Sequence, residues 1–136
     1  MKLEIFIDGA CRGNPGPGAC AMVVIQDGKI IVQKNKKLEQ RITNNIAEWE
    51  ALSRTLQWLS AYLKNHSEIK EVVINSDSEL VVNQFNRRYK INQGHLLKYA
   101  QEAWIFTEGL PVKVKVSWIP RAQNAVADRL ANAAFN

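Results

Sequence analysis

The apolar positions of this chain change period several times, and each change marks an element. Residues 2–8 are a short apolar run and read as a strand. Residues 9–18 hold four glycines and two prolines, and neither helix nor regular strand is expected there. Residues 19–26 resume as a second strand. Asp27-Gly28 is a tight hairpin signal, and residues 30–37 return as a third. From Thr43 to about Leu63 the period becomes helical, with Ala51, Leu52, Thr55, Leu56, Leu59 and Leu63 recurring on one side. Asn65-His66-Ser67 ends that helix, and residues 71–76 form a fourth strand. A helical crossover places it parallel to the first strand. Two helices follow over 78–86 and 94–107, the second with Leu97, Ala100, Trp104 and Ile105 on one side. Residues 112–118 alternate strictly as a fifth strand, and a last helix runs from Gln123 to Phe135, started by Asn124. The order β-β-β-α-β-α-α-β-α predicts an α/β fold: one mixed five-stranded sheet flanked by helices.

A length of 136 residues suits one domain over 1–136, and a 46% hydrophobic fraction needs no covalent staple. Cys11 and Cys20 form no metal motif. They are expected as reduced thiols of a cytoplasmic protein, the other reading being a bridge across the turn. The first strand follows Met1 at once, too short and too acidic for a signal peptide, and no apolar run is long enough to span a membrane. These features point to a soluble, standalone monomer with no membrane partner. A net charge of +5 is compatible with a polyanionic partner. The cations gather in two stretches: Lys29, Lys34, Lys36, Lys37 and Arg41, then Arg87, Arg88 and Lys90.

Several acids sit in costly places. Asp8 ends one apolar strand and Asp77 another. On adjacent strands their carboxylates would repel each other and lose hydration, and a divalent cation removes both objections. Glu48 shares a helix stripe with Leu52, Thr55 and Leu59, so it should face the sheet, whereas Glu50 falls on another face and is left to solvent. A buried acid needs a metal or a basic partner. Asp128 lies in the first turns of the last helix, where the dipole favours an acid in any case. An all-oxygen set without cysteine or a suitable histidine selects Mg²⁺ or Mn²⁺ over zinc. Two such ions roughly 4 Å apart can activate water and stabilise a leaving oxygen in phosphodiester cleavage.

The segments around these acids form a recognisable series. Asp8-Gly9-Ala10-Cys11-Arg12-Gly13-Asn14-Pro15-Gly16-Pro17-Gly18 comes first, then Thr43-Asn44-Asn45-Ile46-Ala47-Glu48 and Ser76-Asp77-Ser78. Trp118-Ile119-Pro120-Arg121-Ala122-Gln123-Asn124, leading to Asp128, completes it. In this order they closely resemble type 1 ribonuclease H. The resemblance implies a ribonuclease H-like fold and a two-metal endonuclease. Asp8, Glu48, Asp77 and Asp128 would hold two Mg²⁺ ions, with Mn²⁺ able to substitute. The enzyme would hydrolyse the RNA strand of RNA–DNA hybrids to 3′-hydroxyl and 5′-phosphate ends, with double-stranded RNA left open as a second substrate. It also implies minor-groove contacts from Asn14 and Asn45, a DNA-phosphate pocket at Thr43 and Asn44, and proximity of Gly9, Ser78 and Glu48 to RNA 2′-hydroxyls.

Two departures from the family pattern matter. Well-known bacterial members carry a histidine in the loop before the last acid. Here His66 and His95 lie elsewhere, and Arg121 stands in that loop, either meeting the scissile or departing phosphate or serving as plain surface. The form resembles a shorter branch found in archaea and some bacteria. The basic, tryptophan-rich handle is also missing, because residues 78–108 are too few for it. Hybrid binding would then fall to Arg12, the 34–41 run, or Arg87 and Arg88. Other readings are a catalytically inactive nucleic-acid-binding domain of the same fold, and a nuclease domain cut from a larger protein.

Overall fold

The computed structural model describes residues 1–136. Strands β1 (Lys2–Cys11), β2 (Gly16–Gln26) and β3 (Lys29–Ile42) form an antiparallel meander. Helix α1 (Asn44–Tyr62) crosses to β4 (Glu71–Ser76), which pairs parallel to β1 as the crossover requires. Helices α2 (Glu79–Phe85) and α3 (Gly94–Glu108) lead to β5 (Val114–Trp118), parallel to β4, and α4 (Ala125–Ala133) closes the chain. The sheet order is β3-β2-β1-β4-β5. No helix is long and apolar enough to cross a membrane.

Strand alternation divides the sheet into two faces. Leu3, Ile5, Ile7, Met22, Val24, Val72 and Ile74 build a core with Leu52, Leu56 and Leu59 of α1. The opposite face, with Ala19, Ala21 and Val23, lies under α4, which buries Ala127 and Ala131. Asn35 fastens α4 to the sheet edge by donating from Nδ2 to the Leu130 carbonyl at 2.8 Å. Asp27 and Gly28 take positive φ (53° and 76°), the geometry of the expected hairpin turn.

Several expected boundaries moved. β1 continues to Cys11 and β2 starts at Gly16, so the irregular segment shrinks to residues 12–15. Pairing of Ala10 with Ala19 and of Cys11 with Gly18 overrides the local glycine signal. These glycines are in strand because neighbours press on them: a Cβ on Gly18 would stand 2.5 Å from Ile42 Cδ1. β3 runs on to Ile42, pairs with Gly16, and delivers the chain to α1. In α3 the inward stripe is Leu96, Ala100 and Ala103, while Ile105 is 70% exposed, so the apolar face is rotated from the expected one. β5 begins two residues late and fully buries Val116 alone, because it is the sheet's edge.

α1 starts as the sequence implies. Thr43 is its N-cap, its Oγ1 accepting from the Ile46 N–H at 3.3 Å. The helix then passes very close to β1 at Gly9. A Cβ there would lie 2.3 Å from the Ala47 carbonyl carbon and 2.4 Å from the Glu48 nitrogen, both backbone atoms. We expect Gly9→Ala to push α1 off the sheet and lower unfolding stability by about 2 kcal/mol or more, read by urea denaturation. Unchanged stability would show that the close approach carries no constraint.

Candidate active site

Asp8 lies inside β1 rather than at its end as expected, because β1 runs on along β2 after its pairing with β4 stops at Ile7. Asp77 directly follows β4, and Glu48 projects onto both from the second turn of α1. Carboxylate oxygens of the three lie within 4.8 Å of one another. Asp8 is 4% exposed and Glu48 8%, while Asp77 is half-buried. The Glu48 stripe therefore faces the sheet, as its spacing predicted. Glu50 departs from expectation: it pairs with Arg54 at 2.9 Å and accepts a hydrogen bond from the Tyr99 hydroxyl, tying α1 to α3 rather than standing free in solvent.

Glu48 and Asp77 are held by named donors. The Gly9 N–H donates to Glu48 Oε1 at 2.9 Å, and the Ser76 hydroxyl donates to Glu48 Oε2 at 3.5 Å. Asn124 Nδ2 donates both to the Ile7 carbonyl at 2.8 Å and to Asp77 Oδ2 at 3.1 Å. Asn124 thus stands at the start of α4 without capping it through its side chain, contrary to expectation; its amide is taken by β1 and Asp77. Its backbone carbonyl accepts from the Asp128 N–H at 3.0 Å, and Asn124 Oδ1 is buried with no partner. Asp128 is half-buried beside Asp8, outside the tight group of three.

The electrostatics are those of a crowded anionic pocket. Burial pushes the Asp8 carboxyl far above the ordinary range, and the charges of Glu48 and Asp77 push it further. Burial likewise raises Glu48, opposed by the Gly9 N–H and supported by Asp77. No basic side chain pairs with any of the four acids. The salt-bridge explanation for Glu48 is therefore removed. Buried carboxylates with oxygens this close and no cation of their own fit a hard divalent ion.

The other expected residues fall into separate places. Ser78 caps α2 through Oγ, and Thr43 spends its hydroxyl as a cap on α1. Asn14 Oδ1 accepts from the Asn44 N–H at 3.1 Å, and Arg41 donates to the Pro15 carbonyl at 3.2 Å, so the 12–15 loop is tied to the start of α1. Asn45 is half-buried in the same turn. Arg12 is exposed, its guanidinium 4.4 Å over the Phe135 ring. Arg121 is exposed on a 3₁₀ turn, Arg121–Gln123, and its side chain makes no hydrogen bond. Arg87 stacks 3.7 Å over Trp104. The basic run 34–41 is not one patch: Lys34 and Lys36 share the α1 face with their partners Met22 and Cys20, while Lys37, opposite Ala19, points to the other. Both cysteines are free thiols.

Sequence reading missed Ser76 and Asn124 as supports for the acids. Ser76 gave only one signal, a polar residue at the buried end of an apolar strand. Asn124 carries the ordinary signal of a helix cap, since asparagine is favoured at that position, and this masks its bond to Asp77.

A family model described as reverse transcriptase-like matches residues 6–134. A bifunctional protein of Mycobacterium tuberculosis is 36% identical over 137 residues, a match taking in 100% of this chain and 36% of that protein. The chain thus spans about a third of the length of its mycobacterial relatives. Ribonuclease H1 of Halobacterium salinarum superposes with a TM-score of 0.88 at 31% identity, covering 99% of this chain and 98% of that one. LC11 ribonuclease H1, crystallised with an RNA/DNA hybrid, superposes with a TM-score of 0.88 at 31% identity over 97% and 95% of the two chains. A match across nearly the whole chain, together with this shared architecture, makes the chain a member of the type 1 ribonuclease H family, within the reverse transcriptase-like group.

Proposed function

We propose that the protein is a metal-dependent endonuclease that hydrolyses the RNA strand of RNA–DNA hybrids. The observation that carries this reading is the buried meeting of Asp8, Glu48 and Asp77 with no basic partner. Those three and Asp128 would hold two Mg²⁺ ions, which Mn²⁺ could replace. Bound there, such ions neutralise the phosphate and make water a better nucleophile. In the reaction a water oxygen bonds to phosphorus, the P–O3′ bond breaks, and the departing 3′ oxygen takes up a proton. The products are a 3′-hydroxyl and a 5′-phosphate.

The chain's own residues set the geometry. Gly9 and Ser76 fix the Glu48 carboxylate, and Asn124 fixes that of Asp77. Gly9, Ser78 and Glu48 would lie along the RNA 2′-hydroxyls, the groups that separate RNA from DNA. The joined rim of Arg12, Asn14, Arg41, Thr43, Asn44 and Asn45 would receive the DNA strand. The positive end of the α1 dipole favours a phosphate there, although Asn14 and Thr43 already take the Asn44 and Ile46 N–H groups. Arg121, exposed in the turn before α4, would meet the scissile or departing phosphate. The protein would act as a cytoplasmic monomer. Hybrid binding by the LC11 relative and the conserved fold of the Halobacterium enzyme support this reading.

A labelled RNA–DNA hybrid incubated with Mg²⁺ or Mn²⁺ should be cut within the RNA strand, and chelator should stop the reaction. No cleavage with either ion would sink the proposal. Asp8→Asn should lower turnover by more than about a hundredfold while keeping the fold.

The metal-free protein should show a matching pH dependence. Raised carboxyl pKa values mean that the native state binds more protons than the unfolded state above the ordinary carboxylate range. The contribution of Asp8 and Glu48 is therefore fully present in acid and is lost as pH rises through their folded values. Melting temperature should fall from about pH 5 to about pH 9 without metal, and Asp8→Asn or saturating Mg²⁺ should flatten that fall. An equally steep fall in Asp8→Asn would remove Asp8 from the repulsive cluster.

Arg121→Ala should reduce kcat by about tenfold with little change in KM, the size expected for one charged hydrogen bond to phosphate. Parental kinetics would make Arg121 ordinary surface.

A further inference from the structure

An open cleft of about 410 Å³ lies between α1 and the edge strand β3, on the α1 face of the sheet. It is separate from the carboxylate group: none of its lining residues is an acid. Its floor is Cys20 and Met22 of β2. One wall carries Lys34 and Lys36 of β3, and the other carries Arg54, Thr55 and Trp58 of α1. We propose that this cleft is a binding site for single-stranded nucleic acid, its bases stacking on Trp58 and its phosphates lying along Lys34 and Lys36.

Charge is the first reason. Three cations face a partly apolar floor, and only Arg54 has an acid to answer it, Glu50 outside the cleft. Lys34 and Lys36 are two residues apart on one strand face, so their stems stand about 7 Å apart and present a row rather than a point of charge. Aromatic surface is the second reason. Trp58 and Tyr62 of α1 and His66 just beyond the helix form a ladder, with ring centroids 4.6 Å apart for the first pair and 3.7 Å for the second. Trp58 is the end of that ladder that lines the cleft, and all three rings are only half-buried. The third is a polar atom without a use. Thr55 is 1% exposed, lines the cleft, and its Oγ1 has no hydrogen-bond partner. A buried hydroxyl left unpaired is costly, and a ligand in the cleft supplies what it lacks.

A row of cations beside a stacking aromatic is the arrangement that grips single strands with little regard to sequence. A duplex hides its base faces and has no use for Trp58. A free nucleotide needs only one phosphate contact and leaves the second lysine idle.

The test is equilibrium binding of a fluorescent single-stranded oligonucleotide of about twelve residues, followed by anisotropy in chelator so that hydrolysis plays no part. The wild-type protein should bind, and Trp58→Ala should weaken binding about tenfold, the size of one lost stack. The double variant Lys34→Glu/Lys36→Glu changes two exposed side chains and so should keep the fold. It should weaken binding more than tenfold and reduce the salt slope by about 1.4, the loss of two phosphate contacts on a single strand. Thr55→Val should raise stability while weakening binding, opposite directions that a purely structural residue would not give. Unlabelled single strand should compete, and blunt duplex and mononucleotide should compete poorly. Parental affinity in the double lysine variant overturns the proposal. Equal competition by blunt duplex or by mononucleotide also overturns it, reassigning the cleft to those ligands.

Discussion

The meeting of carboxylates where the parallel pairing of β1 and β4 stops is the constraint on which the rest depends. Asp8 and Asp77 are brought together by the β1–β4 pairing, and Glu48 is laid on them by α1. Without a cation this arrangement opposes folding, since each acid loses hydration and repels its neighbours. The surrounding structure compensates with directed hydrogen bonds. Gly9 N–H, the Ser76 hydroxyl and the Asn124 amide each donate to one of the acids. The donors are one backbone group and two small side chains, all on regular elements or at their ends. Such supports hold an oxygen in place without adding a competing positive charge.

Gly9 shows how packing and chemistry share one residue. Its missing side chain lets α1 touch β1, and the same contact puts its N–H on Glu48. A wider spacing between helix and strand would loosen the core and separate the acids together. Asn124 plays a comparable part on the other face of the sheet. It joins β1, Asp77 and the backbone of α4, so the element carrying Asp128 is registered against the strands carrying the other acids.

No cation pairs with this cluster. Arg12 rests on Phe135, Arg87 on Trp104, and Arg54 on Glu50. The lysines of β3 are sorted by strand alternation onto opposite faces. A linear run of positive charge in the sequence therefore becomes two surfaces with different neighbours. α1 links them: its first turns carry Glu48, and its middle carries the wall of the basic cleft.

By itself the sequence determined the element order, the parallel crossover, the inward face of Glu48 and the placing of Asp77 at the end of β4. Those follow from local periodicity, which survives in any fold that buries apolar residues. Tertiary structure alone decided that the glycine-rich segment is mostly strand, because cross-strand pairing outweighs local backbone preference. It alone rotated the buried face of α3, since a helix with Ile105 and Leu97 beside Ala100 and Ala103 offers more than one apolar stripe. It alone recruited Ser76 and Asn124. A serine in a strand and an asparagine before a helix have ordinary local uses, and only the approach of residues 28 and 47 positions away in sequence gives them another. Asp128 lies between these cases. Its place beside Asp8 depends on how α4 docks, and helix periodicity carries no information about docking.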